Sequence, residues 1–217
     1  MWNILKDHGI DPAPERQHTT WATFLHSQAQ AILAADFFET KTLTGATPYV
    51  LAVIEHATRR VRILGPTAHP TAACVTQAAR NMAMDLQAAG IKTKFLIRDR
   101  DVRYPASFDT VPQAEGIKVI QTGVQIPRMN TTTKRWVRSC RTELPGRTLI
   151  WNQTHLHHAP REYEAFYNEH RPHRTFASAA PLHPLPEPIT DPDQLAHLHI
   201  HRRDRLSGIL HEYQHVA

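Results

Sequence analysis

Three apolar runs follow one another in the first third of the chain, and they constrain the fold more than any other feature. The first is Ala31–Thr40 (AILAADFFET), which carries one aspartate, Asp36, at its centre. The second and third lie in YVLAVIEHATRRVRILGPT, where a turn near residues 57–60 separates them. Val, Ile and Leu are abundant in these runs, as is typical of β-strands. The pattern predicts three consecutive antiparallel strands.

Helices and strands alternate after these runs. The segment HPTAACVTQAARNMAMDLQAAG predicts a helix that begins near Pro70 and ends at Gly90. Its expected core residues are Val75, Ala79, Met82, Met84 and Leu86. KTKFLIRDRD and IKVIQTG predict a fourth and a fifth strand, with a short helix between them in PASFDTVPQAEG. RMNTTTKRWVRSC predicts a further helix, and the segment after residue 146 suggests one more. The expected fold class is α/β, with a five-stranded mixed sheet and helices on both faces.

Length and composition indicate one globular domain with appendages. The chain has 217 residues, of which 41% are hydrophobic and 21% charged. We expect an N-terminal lead-in at residues 1–28, a core domain at 29–176 and a C-terminal tail at 177–217. No apolar stretch is long enough for a membrane span and no signal-peptide pattern is present, so we expect a cytoplasmic protein without a membrane partner. Two cysteines provide no disulfide framework.

The charge distribution points to an anionic partner. The formal net charge is +5 and the sequence pI is about 9.5. Lys134 and Arg135 occupy the first turns of a predicted helix, where the helix dipole disfavours cations unless negative charge lies close by. The other reading of these cations is a solvated helix face. The residues that we expect to contact DNA phosphates are Arg128, Arg135, Arg138 and Arg141, with Arg171 and Arg174 as outer contacts.

Two carboxylates stand out in the predicted sheet. Asp36 lies within an apolar strand, and Asp99 follows the fourth strand. Taken singly, Asp36 is explained by an edge strand or by hydrogen bonds from a loop, and Asp99 by a solvated strand end. If the first strand is central, however, the two residues can be adjacent. Facing carboxylates repel one another, and a divalent cation such as Mg²⁺ is the usual reason to hold them together.

Several stretches resemble one known family. They are AADFFET, YVLAVIEHATRRV, FLIRDRDVRYPASFD, PRMN and, most specifically, YNEHRPH. Between about Trp21 and Tyr213 the chain is similar to the catalytic domain of bacterial insertion-sequence transposases of the retroviral-integrase type. The resemblance implies an RNase H-like fold and a DDE site, in which Asp, Asp and Glu hold two metal ions, Mg²⁺ or Mn²⁺, for phosphoryl transfer on DNA.

The resemblance assigns roles to individual residues. Asp36 matches the first acid and Asp99 the second, whereas Asp101 stands where many relatives have glycine and is a weaker candidate. The third position, about 35 residues beyond the second acid, holds Lys134 instead of glutamate. Glu143 lies nine residues further along the helix and points to the opposite side, so we expect it to be solvated rather than part of the site.

These assignments predict a transposase or integrase core for DNA integration that is inactive because Lys134 replaces an acid. Two alternatives stay open: a catalytically silent DNA-binding regulator of transposition, and a decayed, truncated product of a mobile element. Relatives carry a helix-turn-helix domain before this core, and the segment before Asp36 is too short for one, so we expect an N-terminal truncation. Expected partners are DNA and either a second copy of the chain or an active transposase.

Two histidine groups offer a competing metal hypothesis. His197, His199 and His201 would share one face of a strand, and His155, His158 and Glu162 have helical spacing. Solvated surfaces explain both groups as well as Zn²⁺ does. No nucleophile elbow or phosphate-binding glycine loop is found in the sequence, which contains 8 glycines.

Overall fold

The computed structural model describes residues 21–123, 130–144, 150–185, 187–191, 193, 195 and 197–216. The helices in this part of the chain are α1 (Trp21–Ser27), α2 (Ala72–Ala88), α3 (Ala106–Ala114), α4 (Thr131–Glu143) and α5 (Gln153–Glu169), with short 3₁₀ helices at Ala29–Ala31 and Arg174–Phe176. The strands are β1 (Ile32–Glu39), β2 (Tyr49–Glu55), β3 (Val61–Thr67), β4 (Phe95–Arg98), β5 (Lys118–Gln121), β6 (His199–Arg205) and β7 (Leu210–Val216). None of the described helices combines the length and apolarity that a bilayer crossing requires.

The main sheet has five strands in the order β3-β2-β1-β4-β5. β1 pairs with β2, and β2 with β3, in antiparallel orientation, whereas β1–β4 and β4–β5 are parallel pairs. This mixed sheet, with three consecutive antiparallel strands and β1 in the centre, confirms the fold class predicted from the sequence. The parallel pairs need crossover connections, which α2 and α3 provide.

Helices cover both faces of the sheet, and alternation along β1 decides which side chains each layer meets. Leu33, Ala35 and Phe37 pack in the cluster that contains α2 and α3. Ile32, Ala34 and Phe38 pack in the cluster that contains α4 and α5. By the same alternation Asp36 lies on the α4 and α5 face, between two apolar neighbours.

Helix α2 confirms most of its predicted core stripe. Val75, Ala79, Met82 and Leu86 are buried against the sheet. The prediction for Met84 was wrong, because its side chain is 66% exposed. Two residues along a helix correspond to a rotation of about 200°, which places Met84 opposite Met82. The helix begins at Ala72, one residue after the cap Thr71.

The YNEHRPH segment joins α5 to the edge strand β3. Asn168 donates from Nδ2 to the carbonyl oxygen of Val61 and accepts from the Val61 N–H through Oδ1, both at 2.8 Å. Glu164 accepts from the Ile63 N–H at 2.8 Å. An edge strand leaves one row of backbone groups unpaired. These side chains pair part of that row and fix α5 on the sheet.

Replacing Asn168 by Ala should destabilise the protein by about 2 kcal/mol, because the N–H and C=O of Val61 lose partners in a buried environment. Urea unfolding monitored by circular dichroism measures the loss. Asn81→Ala on the exposed surface of α2 is the matched control and should change stability by less than about 0.5 kcal/mol. Equal stability of the two variants would contradict this role for Asn168.

A hairpin of β6 and β7 lies within the region predicted as a C-terminal tail. Leu210 belongs to the core cluster that includes residues of α5, and the buried Glu212 forms an ion pair with Arg205 and lies 3.4 Å from His170 Nε2. His199 and His201 are in β6 as exposed residues, whereas His197 precedes the strand. A Leu-Ser-Gly turn between HIHRRDR and LHEYQHV is the local signal for this hairpin in the sequence.

Candidate functional site

The pairing of β1 with β4 brings Asp36, within β1, close to Asp99, which follows β4. In the parallel pairing, Ala35 lies opposite Arg98. Asp36 and Asp99 are the next residues on each strand, and paired strands are about 4.8 Å apart. The two residues therefore lie next to each other where β4 ends, and the charge of Asp99 acts on Asp36.

Asp36 is an ionisable group in an apolar setting. Only 8% of the residue is exposed. Burial, followed by the charge of Asp99, raises the pKa of Asp36 from 3.8 to about 6, while Lys134 and the N–H of Phe37 act in the opposite direction. Both main causes penalise the ionised form. The folded protein therefore keeps this carboxylate ionised at neutral pH only at a cost in stability.

Asp99 and Asp101 lie in the loop after β4. The Asp101 N–H donates to Asp99 Oδ1 at 3.3 Å, and the Arg103 N–H donates to Asp101 Oδ1 at 2.9 Å. Arg103 also forms an ion pair with Asp101, with Nε 3.3 Å from Oδ1. Asp101 is thus engaged by a cation of its own loop, whereas Asp99 is half-buried beside Asp36.

Helix α4 packs against β1 next to the site. Trp136 packs edge-on against Phe38 of β1, with ring centroids 5.6 Å apart. Asn130 stands at the N-cap position, but its side chain makes no capping hydrogen bond. Its Nδ2 instead donates to the carbonyl oxygen of Ala35 at 3.1 Å. This contact ties the first turn of α4 to the residue beside Asp36.

Lys134 lies in the second turn of α4, within electrostatic range of Asp36. Its positive charge lowers the pKa of Asp36 against the effect of burial. The side chain is exposed, and in the described part of the chain it forms no ion pair with Asp36 or Asp99. The lysine therefore acts through space rather than through a direct contact.

The donor set does not fit a DDE metal centre. Two adjacent carboxylates are present, but the position that the sequence resemblance assigns to the third acid carries the ammonium group of Lys134, which repels a cation. Among the residues that the structure describes, no group of three or more histidine, cysteine, aspartate or glutamate side chains could hold a metal ion. Among the described residues, this finding also applies to the two histidine groups named from the sequence, neither of which forms such a metal-holding group.

Two buried neighbours of the site have no signal in the local sequence. Arg98 is 4% exposed and forms a bidentate pair with Asp109 of α3, at 2.6 and 2.7 Å. Tyr104 packs against Phe37, and the carboxylates of the site add to the effect of burial in raising its pKa. Contacts with α3 position both side chains. The residue pattern of a strand does not show such contacts.

Glu143 differs from its predicted solvated state. It accepts from the hydroxyl of Tyr163 at 2.9 Å and from Arg171 through Nε and Nη2, the shortest contact being 2.7 Å. The half-buried surroundings at the end of α4 favour this pairing. Glu143 does not approach the aspartates, as expected, and it neutralises Arg171, which was predicted as an outer DNA contact.

The remaining predicted DNA contacts are mostly exposed. Arg135, Arg138 and Arg141 lie on the solvent side of α4, and Arg174 is exposed in the 3₁₀ helix that follows α5. Arg128 falls outside the described residues. The three arginines of α4 and Lys134 form one exposed cationic surface, which we call the α4 basic face.

Solved structures provide a comparison for this arrangement. A chain of the simian T-cell lymphotropic virus intasome, in complex with the PP2A regulatory subunit B56 gamma, matches with a TM-score of 0.55 and 13% identity. That match covers 85% of this chain and 66% of the other, so the chain spans just under two thirds of that relative. The catalytic core domain of BIV integrase matches with a TM-score of 0.50 and 15% identity, over 70% of this chain and 91% of that domain. The chain has the fold of an integrase catalytic core.

The integrase-core fold confirms the RNase H-like architecture implied by the sequence resemblance. At such low identities the likeness establishes the fold alone. No protein-family model matches the sequence, and no curated protein matches it. A functional conclusion must therefore come from the residues of the site.

Proposed function

We propose that the chain is an integrase- or transposase-type core that acts on DNA and whose metal-dependent phosphoryl transfer is blocked by Lys134. The observation that carries this proposal is electrostatic. The charge of Asp99, which follows β4, raises the pKa of the buried Asp36 on β1, and the charge of Lys134 on α4 lowers it. Bound DNA would supply the negative charge that the cationic start of α4 lacks.

The proposed block follows from charge. Two metal ions at such a site activate a nucleophile and stabilise the leaving oxygen, and they need several carboxylate oxygens to bind there. The ammonium of Lys134 offers no lone pair and repels the cation. Asp36 and Asp99 would then hold Mg²⁺ or Mn²⁺ only weakly. The wild-type protein should neither cut nor join DNA strands.

A cleavage and strand-transfer assay tests this directly. We would incubate the wild-type protein with supercoiled plasmid and with labelled duplex ends in the presence of Mn²⁺. No product above background is expected. Efficient nicking by the wild type that disappears in Asp36→Asn would contradict the proposed block.

A second function, that of a catalytically silent DNA-binding regulator, is favoured by the α4 basic face. Its three arginines are exposed, and no ion pair in the described part of the chain engages them. A protein of this kind could occupy DNA ends alone, as a homo-oligomer or beside an active transposase of the same mobile element. Affinity for duplex DNA without strand cleavage distinguishes this function from a residual nuclease.

The α4 basic face should govern DNA affinity. Changing Arg135, Arg138 and Arg141 together to Gln should reduce the slope of log Kd against log salt for duplex binding by about 0.9 for each phosphate that the protein no longer neutralises, and so by up to about 3. Fluorescence anisotropy across a salt series measures the slope. The matched control changes exposed cations elsewhere, Arg80, Lys92 and Lys118, to Gln. Equal slopes for the two triple variants would exclude the α4 basic face as the DNA-binding surface.

A further inference from the structure

A small cationic pocket lies on the flank of α4 away from Lys134. It has a volume of about 170 Å³ and is formed by the β2–β3 turn, α4, the end of α5 and the segment after it. Sites for drug-sized molecules typically occupy about 300–1,000 Å³, so this pocket suits a smaller chemical group. Its lining residues, all of them described, are Ile54, Arg59, Thr132, Arg135, Ser139, Tyr167, Arg171, His173 and Thr175.

The pocket lining is cationic and rich in hydrogen-bond donors. Three guanidinium groups meet there with four hydroxyl groups, and none of the lining residues is acidic. Arg171 is satisfied by Glu143, which approaches it at 2.7 Å. Arg59 has no carboxylate partner in the described part of the chain, and its Nη1 donates to the neutral hydroxyl of Thr132 at 2.8 Å. The positive charges of Arg59 and Arg135 are therefore not neutralised by an acidic residue of the pocket lining.

The fold keeps these cations together against their repulsion. Arg59 and Arg135 line the same pocket, and burial together with the charge of Arg135 lowers the pKa of Arg59. Burial and the same arginines lower the pKa of His56 to about 4, and burial with Arg171 and Arg59 does the same for His173. Arg59 also adopts a left-handed backbone conformation with φ 61°, which is uncommon for a residue that is not glycine. The β2–β3 turn therefore places the Arg59 guanidinium in the pocket at a cost in backbone strain.

We propose that this pocket binds a phosphate group through Arg59, Arg135 and the hydroxyls of Thr132 and Ser139. Guanidinium groups pair with phosphate oxygens in bidentate geometry, and hydroxyl donors complete the shell. The phosphate is either an internal phosphodiester or a terminal phosphate of a DNA strand, and in that respect the inference rests on the proposed function. Arg135 follows Lys134 directly, and their side chains leave α4 about 100° apart. A DNA strand that crosses α4 would therefore pass close to both the pocket and the two aspartates.

The test uses two variants that remove the pocket chemistry in different ways. Arg59→Asn removes the guanidinium but keeps a residue that tolerates the left-handed conformation. Ser139→Asp leaves the β2–β3 turn untouched and places a carboxylate in the pocket. Arg80→Gln, on the exposed surface of α2, removes one positive charge far from the pocket and is the matched control.

The first probe is inorganic phosphate, added to the full chain in a thermal unfolding series and in calorimetric titrations. We expect saturable stabilisation of the wild type and of Arg80→Gln, and at least a tenfold weaker response of both pocket variants. Equal responses of wild type, Arg59→Asn and Ser139→Asp, or no saturable response in any of them, would overturn the inference.

The second probe is a DNA duplex with either a 5′-phosphate or a 5′-hydroxyl at its ends. If the pocket takes a terminal phosphate, removing that phosphate weakens wild-type binding as much as Arg59→Asn does. If it takes an internal phosphodiester, both duplexes bind wild type equally and Arg59→Asn lowers the salt slope by about 0.9.

The two probes separate the inference from the proposed function. Phosphate binding that depends on Arg59, in a protein without affinity for either duplex, supports the pocket and overturns the DNA function. Salt-dependent DNA binding that Arg59→Asn and Ser139→Asp leave unchanged, without phosphate stabilisation, supports the DNA function and overturns the pocket.

Discussion

Asp36→Asn is expected to stabilise the protein by up to about 3 kcal/mol near pH 7.5, because the wild-type carboxylate is ionised at a buried site. The pKa of Asp36 is raised from 3.8 to about 6 in the folded state. A carboxyl group with a raised pKa binds its proton more tightly in the folded protein than in the unfolded chain. Its favourable contribution is complete below pH 3.8 and is lost as the pH rises through about 6. Asparagine is neutral throughout and can still accept the N–H of Phe37.

Urea unfolding at two pH values measures this effect. The increase in the free energy of unfolding caused by Asp36→Asn should be large near neutral pH and small near pH 4. In thermal unfolding, this increase corresponds to a rise in Tm of roughly 2–4 °C per kcal/mol for a chain of this size. Asp85→Asn, at an exposed position on α2, is the control and should change stability little at either pH. Destabilisation by Asp36→Asn of equal size at both pH values would show that the carboxylate is a structural acceptor.

A stabilising change at Asp36 would also bear on function. Strongly perturbed carboxyl groups cluster at functional sites, where evolution retains a residue that costs stability. Asp109 offers the contrast within the same fold, because it forms a bidentate pair with the buried Arg98 and contributes to structure. Asp109→Asn should destabilise the protein, since it leaves Arg98 as a buried charge without its partner.

Lys134→Glu is expected to raise the affinity for Mn²⁺ by at least about tenfold, because it replaces a repelling charge with a carboxylate beside two others. Without metal, the additional negative charge should raise the pKa of Asp36 further, since the lowering influence of Lys134 is lost. Thermal stability should consequently depend on Mn²⁺ much more in this variant than in wild type. Non-specific Mn²⁺-dependent nicking of supercoiled DNA is the minimum activity that we expect to appear.

Two comparison variants separate charge from ligand chemistry. Lys134→Gln removes the repulsion but adds no carboxylate, so it should bind Mn²⁺ only slightly better than wild type. Lys134→Glu combined with Asp99→Asn restores the third acid while deleting the second, and its nicking should be lost. A Lys134→Glu protein that binds no more metal than wild type would mean that position 134 is not the third ligand position.

Local pattern alone predicted much of the fold. The apolar runs that became β1, β2 and β3 have few alternatives, because strand alternation and the intervening turn act over a few residues. The stripe on α2 was recognisable for the same reason, although Met84 was assigned to it wrongly. The candidate site could be anticipated as a pair, Asp36 and Asp99, once β1 was taken as the central strand.

The ion pairs that decide which cations are free could not be predicted in this way. Arg98 and Arg171 are arginines in basic runs of the sequence, yet Asp109 and Glu143 neutralise them in the structure. The β6–β7 hairpin was likewise missed, because its strands are mostly polar and exposed and show little of the hydrophobic pattern that indicates a strand.

The sequence by itself determined the order of the strands along the chain and the positions of Asp36 within β1 and of Asp99 after β4, and its resemblance to DDE transposases suggested that Lys134 stands in place of a third acid. Only the tertiary structure decided how charge is distributed around them. Arg59 and Thr132 are 73 residues apart in sequence, and Arg171 and Glu143 are 28 apart, yet each pair is in direct contact. Periodicity reports neighbours within one element, whereas packing between elements brings such distant residues together and sets the electrostatics of the site.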